Sequence, residues 1–140
     1  MKTHKLQIQN ELQELATLRS EIQMFIEEKI DSKRKNRIIL SIDEVISNII
    51  EHGFPNGEKS SISIEISLDE KEITFVIEDS GIEFNPLEQK EVDVEEHLEL
   101  GEDGGMGIYI ARKIMQIEYK KRIGGGNRLT LKKNLLTEEI

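Results

Sequence analysis

The chain has 140 residues and a formal net charge of −9, with an isoelectric point of about 4.9; the length suits one domain with a real core, and the acidity argues against phosphate-backbone binding as the main task, which needs clustered cations. The absence of cysteine excludes a disulfide framework and a thiolate metal centre. No apolar run reaches membrane-span length and the basic start, Met1 to Lys5, leads into no apolar signal segment, so the expectation is a soluble cytoplasmic protein with no membrane partner and no direct nucleic-acid partner.

Lys5 to Gln9 alternates and reads as a short edge strand. Asn10 with Gln13 three residues on is a capping-box pattern, and Leu12, Leu15, Leu18, Ile22, Phe25 and Ile26 then recur at helical spacing to about residue 28. A second helix is predicted from Asp31-Ser32 to about His52. Its isoleucine-rich apolar positions follow a period near 3.6, and Gly53 stops it. Ser61 to Leu68 alternates cleanly, Asp69-Glu70-Lys71 is a turn, and Ile73, Phe75 and Ile77 resume the alternation up to Asp79, which predicts a hairpin with one buried face. The stretch from Ser80 to Gly105 is acidic, polar and aperiodic, as functional loops often are. A third helix is expected from Gly107 to about Gln116, a strand from Ile117 to Ile123, a turn at Gly124 to Asn127, and a last strand from Arg128 to Lys132. The order predicts an α+β, two-layer sandwich, with helices on one face of a mixed, largely antiparallel sheet.

Three short patterns carry chemistry. Glu44 and Asn48 are one helical turn apart, and with His52 they draw a polar line along an otherwise isoleucine-rich helix. A carboxylate there can take a proton from an attacking hydroxyl, and an amide oxygen can ligate Mg²⁺. His52 sits where a basic group complements the helix end. Asp79-Ser80-Gly81 ends a strand; it is ordinary turn chemistry, yet its carboxylate can also accept a hydrogen bond from an exocyclic amine such as that of adenine. Gly104, Gly105 and Gly107 precede a helix, whose free N–H groups and dipole favour an anion.

In this order, Glu44-x-x-x-Asn48, Asp79-x-Gly81 and Gly105-x-Gly107 resemble the N, G1 and G2 boxes of the GHKL (Bergerat-fold) ATPases. The compact length, Ser41 to Asn48, Phe84-Asn85-Pro86 and Gly126 to Leu131 are similar to the anti-sigma factor serine/threonine kinases of the RsbW/SpoIIAB type. The resemblance covers nearly the whole chain, as a single ATPase domain over residues 1–140. It implies ATP and Mg²⁺ as cofactors, with Glu44 as catalytic base and Asn48 holding the metal. Asp79 would read the adenine amine with Gly81 beneath the base, Gly105, Met106 and Gly107 would face the phosphates, and Thr130 would lie near the adenine. Residues from about 83 to 104 would form an ATP lid. The implied partners are a STAS-type anti-sigma antagonist, which the kinase phosphorylates on serine or threonine, and a sigma factor or similar regulator, which it sequesters. Arg19 on the first helix is then a partner contact or simply a solvated side chain, and a homodimer is the expected unit. One departure stands out. Some relatives carry a basic residue just before the glycines, whereas here Glu102-Asp103 fills that place, with no Lys or Arg between Lys90 and Arg112. A non-catalytic, nucleotide-gated binding module of the same fold is therefore the alternative. A histidine kinase fits less well, since no phosphoacceptor helix pair is present.

Overall fold

The computed structural model describes residues 1–88 and 106–137, the side chain of Met106 excepted. Five strands and three helices follow one another as β1 (Lys2–Gln9), α1 (Glu14–Ile26), α2 (Ser32–His52), β2 (Ser61–Leu68), β3 (Glu72–Asp79), α3 (Met106–Ile114), β4 (Gln116–Lys121) and β5 (Asn127–Asn134), with a 3₁₀ turn at Pro86–Glu88 before α3. The strand order is β1-β2-β3-β5-β4. All four pairings are antiparallel, so the expected mixture of directions is not present among the described residues.

Period-2 alternation sets the two layers apart. Ile62, Ile64, Ile66, Ile73, Phe75, Ile77, Leu129 and Leu131 turn to one face of the sheet and are buried. The helices cover that face with Leu18 and Ile22 from α1, Ile38, Ile42 and Ile46 from α2, and Ile108 and Ala111 from α3. The other face carries Ser63, Glu65, Thr74, Val76, Thr130 and Lys132, none of them fully buried.

Local signals start and stop these elements unevenly. Asp31 caps α2 by accepting from the Arg34 N–H at 3.0 Å. Asn10 does not cap α1 as its spacing suggests. Its amide instead donates to the Glu58 carbonyl at 2.7 Å and accepts from the Ser60 N–H at 3.0 Å, and α1 begins at Glu14 without a side-chain cap. A long-range tie between β1 and the approach to β2 has overridden the local pattern, and Leu12, now outside the helix, is exposed.

The end of β3, the start of β5 and the last turns of α2 meet at one end of the sandwich. Gly124, Gly125 and Gly126 all have φ near +100°, which makes the tight turn into β5. A Cβ on Gly126 would fall onto the Asp79 carbonyl, so glycine is required for Asn127 to stand directly opposite Asp79.

Candidate functional site

A cleft opens where those elements meet, lined by Asn48, Ile49 and His52 of α2, Gly53, Asp79, the segment with Ile82, Phe84 and Pro86, and Asn127 and Leu129 of β5. Asp79 lies at its floor, 1% exposed. Its Oδ1 accepts from the Gly81 N–H at 2.8 Å and from Asn127 Nδ2 at 3.1 Å. Its Oδ2 is buried and has no partner. Leaving a buried acceptor unsatisfied is costly. Burial pushes the Asp79 carboxyl above its usual range, against the opposing pull of the Asn127 amide, the Gly81 N–H and the Arg122 charge.

Asn127, which reading by residue type did not single out, organises this floor. Its Nδ2 also donates to the Ile82 carbonyl at 2.7 Å, while its Oδ1 accepts from the Phe84 N–H at 2.9 Å and from the Tyr119 hydroxyl at 2.7 Å. Every hydrogen-bonding position of a buried amide is thereby used. The legible signal was a polar residue immediately after three glycines at the start of an alternating strand. Gly81 is a close-approach position: a Cβ there would come within 2.6 Å of the Gly53 carbonyl oxygen and 3.0 Å of Asp79 Oδ1. With the Ile82 N–H donating to that same carbonyl at 2.9 Å, the Asp79-Ser80-Gly81 turn docks on the end of α2.

Glu44 and Asn48 are half-buried, one turn apart on α2, with His52 exposed at its end. Burial raises the Glu44 carboxyl above its ordinary value, and the neighbouring charges of Asp43 and Glu51 raise it further. Glu44 lies against Gly107 in the first turn of α3. Arg19 of α1 donates to Asp43 Oδ1 at 2.7 Å, which places it one residue from Glu44 in sequence.

The structure therefore lines one cleft with Asn48 and Asp79, holds Gly81 against Asp79, and sets Glu44 against Gly107. It does not bring in Thr130. That residue pairs with Val76 and Glu118 and points to the outer face, since Leu129 and Leu131 on either side point inward. Met106 opens α3, and Gly104, Gly105 and the lid beyond Glu88 lie outside the described residues.

Residues 8–133 match the family model of the histidine kinase-like ATPase domain. This chain belongs to that family. Among curated relatives, the histidine kinase-like ATPase domain here is 28% identical over 94 residues to the serine/threonine-protein kinase BtrW of Bordetella bronchiseptica, covering 67% of this chain and 66% of the relative. It is 28% identical over 99 residues to the anti-sigma F factor of Clostridium beijerinckii, covering 70% and 69%. To the serine-protein kinase RsbW of Listeria monocytogenes it is 26% identical over 80 residues, covering 54% and 51%. The matched part thus spans about two thirds of the length of the first of these relatives.

In the cleft, Asp79 Oδ2 has no protein partner, and Ile49, Ile82, Phe84 and Leu129 supply apolar walls. The free volume of the cleft is only about 20 Å³, room for roughly one water. For Mg²⁺ the donor chemistry is a single amide oxygen, Asn48. The described residues hold no group of three or more acidic or histidine side chains that would bind a cation alone, which fits an ion shared with substrate phosphates. No described helix is long and apolar enough to cross a membrane.

Proposed function

We propose that this chain is an ATP-dependent protein serine/threonine kinase of the anti-sigma factor type. The observation that carries the reading is the buried Asp79 carboxylate, with one oxygen unpartnered at the floor of a cleft that Asn48 also lines. Membership of the histidine kinase-like ATPase domain family and the names of the relatives support it.

In this reading Asp79 accepts from the adenine amine and Gly81 lies beneath the base. Asn48 would hold Mg²⁺, which when bound neutralises phosphate charge. The glycine-rich approach to α3, including Gly105 and Met106, takes the phosphates. Glu44 removes the proton from a serine or threonine hydroxyl; its oxygen bonds to the γ-phosphorus, the bond to the β-phosphate oxygen breaks, and ADP leaves with that electron pair. A base with a raised pKa suits this task, because proton removal is most effective when the pKa lies nearer the working pH. The partners are a STAS-type antagonist as phosphoryl acceptor and a sigma factor as sequestered target, met by a cytoplasmic homodimer.

Incubation with ATP·Mg²⁺ and a STAS-domain protein, followed by mass spectrometry, tests this. Phosphoserine or phosphothreonine on the partner, lost in Glu44→Ala, is the expected result. The acidic run before α3, with no Lys or Arg between Lys90 and Arg112, favours a second reading, a nucleotide-gated binding module without transfer. Nucleotide-dependent partner binding with no phosphorylated product would select it.

A further inference from the structure

Gly107 raises a question that its backbone does not answer. It is the second residue of α3, and its φ is not in the left-handed region that calls for glycine. An ordinary residue fits that conformation, and alanine is the better helix former. Space is what forbids a side chain. A Cβ at Gly107 would fall onto Glu44 Oε2 and come within 3.2 Å of both Cβ and Cδ of Glu44. The carboxylate end can swing away, but the Glu44 Cβ is fixed to α2, so α3 would also have to give by a few tenths of an ångström.

We propose that Gly107 is a positioning residue for Glu44: its missing side chain makes the space in which the Glu44 carboxylate rests against the first turn of α3. The inference deepens the kinase reading and rests on it for the meaning of Glu44. Its mechanical consequence is separate from any contact of the glycine-rich segment with phosphate. The base is seated between α2 and the helix that opens just after that segment. A side chain at 107 would turn the carboxylate out of this seat, whereas the nearest atoms it meets all belong to Glu44 and none to Asp79 or Asn127.

The test is a thermal-unfolding cycle on the full chain: wild type, Gly107→Ala, Glu44→Ala and the double variant. Helix propensity alone makes Gly107→Ala raise Tm by about 2–4 °C. The expected result is that it does so only in the Glu44→Ala background, and lowers Tm or leaves it unchanged when Glu44 is present. An equal rise in both backgrounds overturns the proposal. The functional arm is calorimetric affinity for ADP·Mg²⁺ and kcat for phosphoryl transfer from ATP to a STAS-domain protein. Gly107→Ala should lower kcat by about 100-fold with ADP affinity within about threefold of wild type. Parallel loss of affinity would make Gly107 a phosphate contact and overturn the assignment. The unfolding cycle needs no turnover. If the protein transfers no phosphoryl group, the kinase reading fails while the cycle still decides the contact.

Discussion

Asp79 is held in a state that the folded chain alone would not choose. A carboxyl with a raised folded pKa binds its proton more tightly in the native state than in the unfolded one. The sign follows: any stability tied to that proton is full below the ordinary aspartate value and is lost as pH rises through the raised one. Above that window the ionised Asp79 is a cost to the free protein. Asp79→Asn removes the charge, and its amide can keep the acceptor on Gly81 and Asn127 while turning a donor toward the cleft. Thermal scans should show this variant gaining stability relative to wild type as pH rises through that window, with the advantage narrowing as pH falls through it. Its affinity for adenine nucleotides should drop about 10–100-fold, the scale of one hydrogen bond to a charged group. At Glu44 the shift has a catalytic reading. The base must be deprotonated, so transfer should fail on the acid side at a pH above the ordinary glutamate value. Asp43 contributes to the shift after burial, so Asp43→Asn should move that acid limb to lower pH in a pH–rate profile. An unmoved limb would remove Glu44 as the titrating group. Residue type and spacing made Glu44, Asn48 and Asp79 legible. They did not reveal Asn127, whose importance comes from three hydrogen bonds to the distant Asp79–Phe84 segment and one from Tyr119.

Elements place these residues by periodicity, and periodicity was the more dependable guide. The alternation of Leu129 and Leu131 already assigns Thr130 to the opposite face; only the family resemblance drew it toward the adenine. The helical period of α2 puts Glu44, Asn48 and His52 in line, and the cleft forms where that line meets the ends of β3 and β5. The capping pattern at Asn10 misled because a local signal cannot report a competing partner such as Ser60, fifty residues away. Between elements, the Arg19–Asp43 pair links α1 to α2 at a partly exposed position. Such pairs contribute about 0–1 kcal/mol, so Arg19→Ala should barely change the midpoint of urea unfolding. If the same substitution abolishes binding of an antagonist or sigma factor, the loss belongs to a direct contact. A large loss of stability would instead make Arg19 a structural residue and remove it as partner evidence.

For the whole molecule, the candidate site lies at one end of an α+β sandwich. The isoleucine-rich core fixes the sheet against the helices, while the cleft holds a buried carboxylate oxygen with no protein partner. A ligand that satisfies that carboxylate binds only the folded chain. ATP·Mg²⁺ at 100 times its Kd should therefore add about 2.7 kcal/mol of stability, read as a rise in Tm. The overall acidity works against a triphosphate at long range, so at a fixed ATP concentration the gain should grow with ionic strength up to about physiological salt rather than shrink.

Calorimetric titration of the wild-type protein and Asp79→Asn with ATP·Mg²⁺ and GTP·Mg²⁺ tests the nucleotide site most directly. Guanine presents a carbonyl where adenine presents its amine, so a carboxylate acceptor at the cleft floor should select ATP. One ATP site in the wild type, weak or absent GTP binding, and a 10–100-fold loss of ATP affinity in Asp79→Asn are the expected results. Equal binding of ATP and GTP, or an unchanged ATP affinity in the variant, would contradict Asp79 as the adenine reader and with it the nucleotide site proposed for this fold.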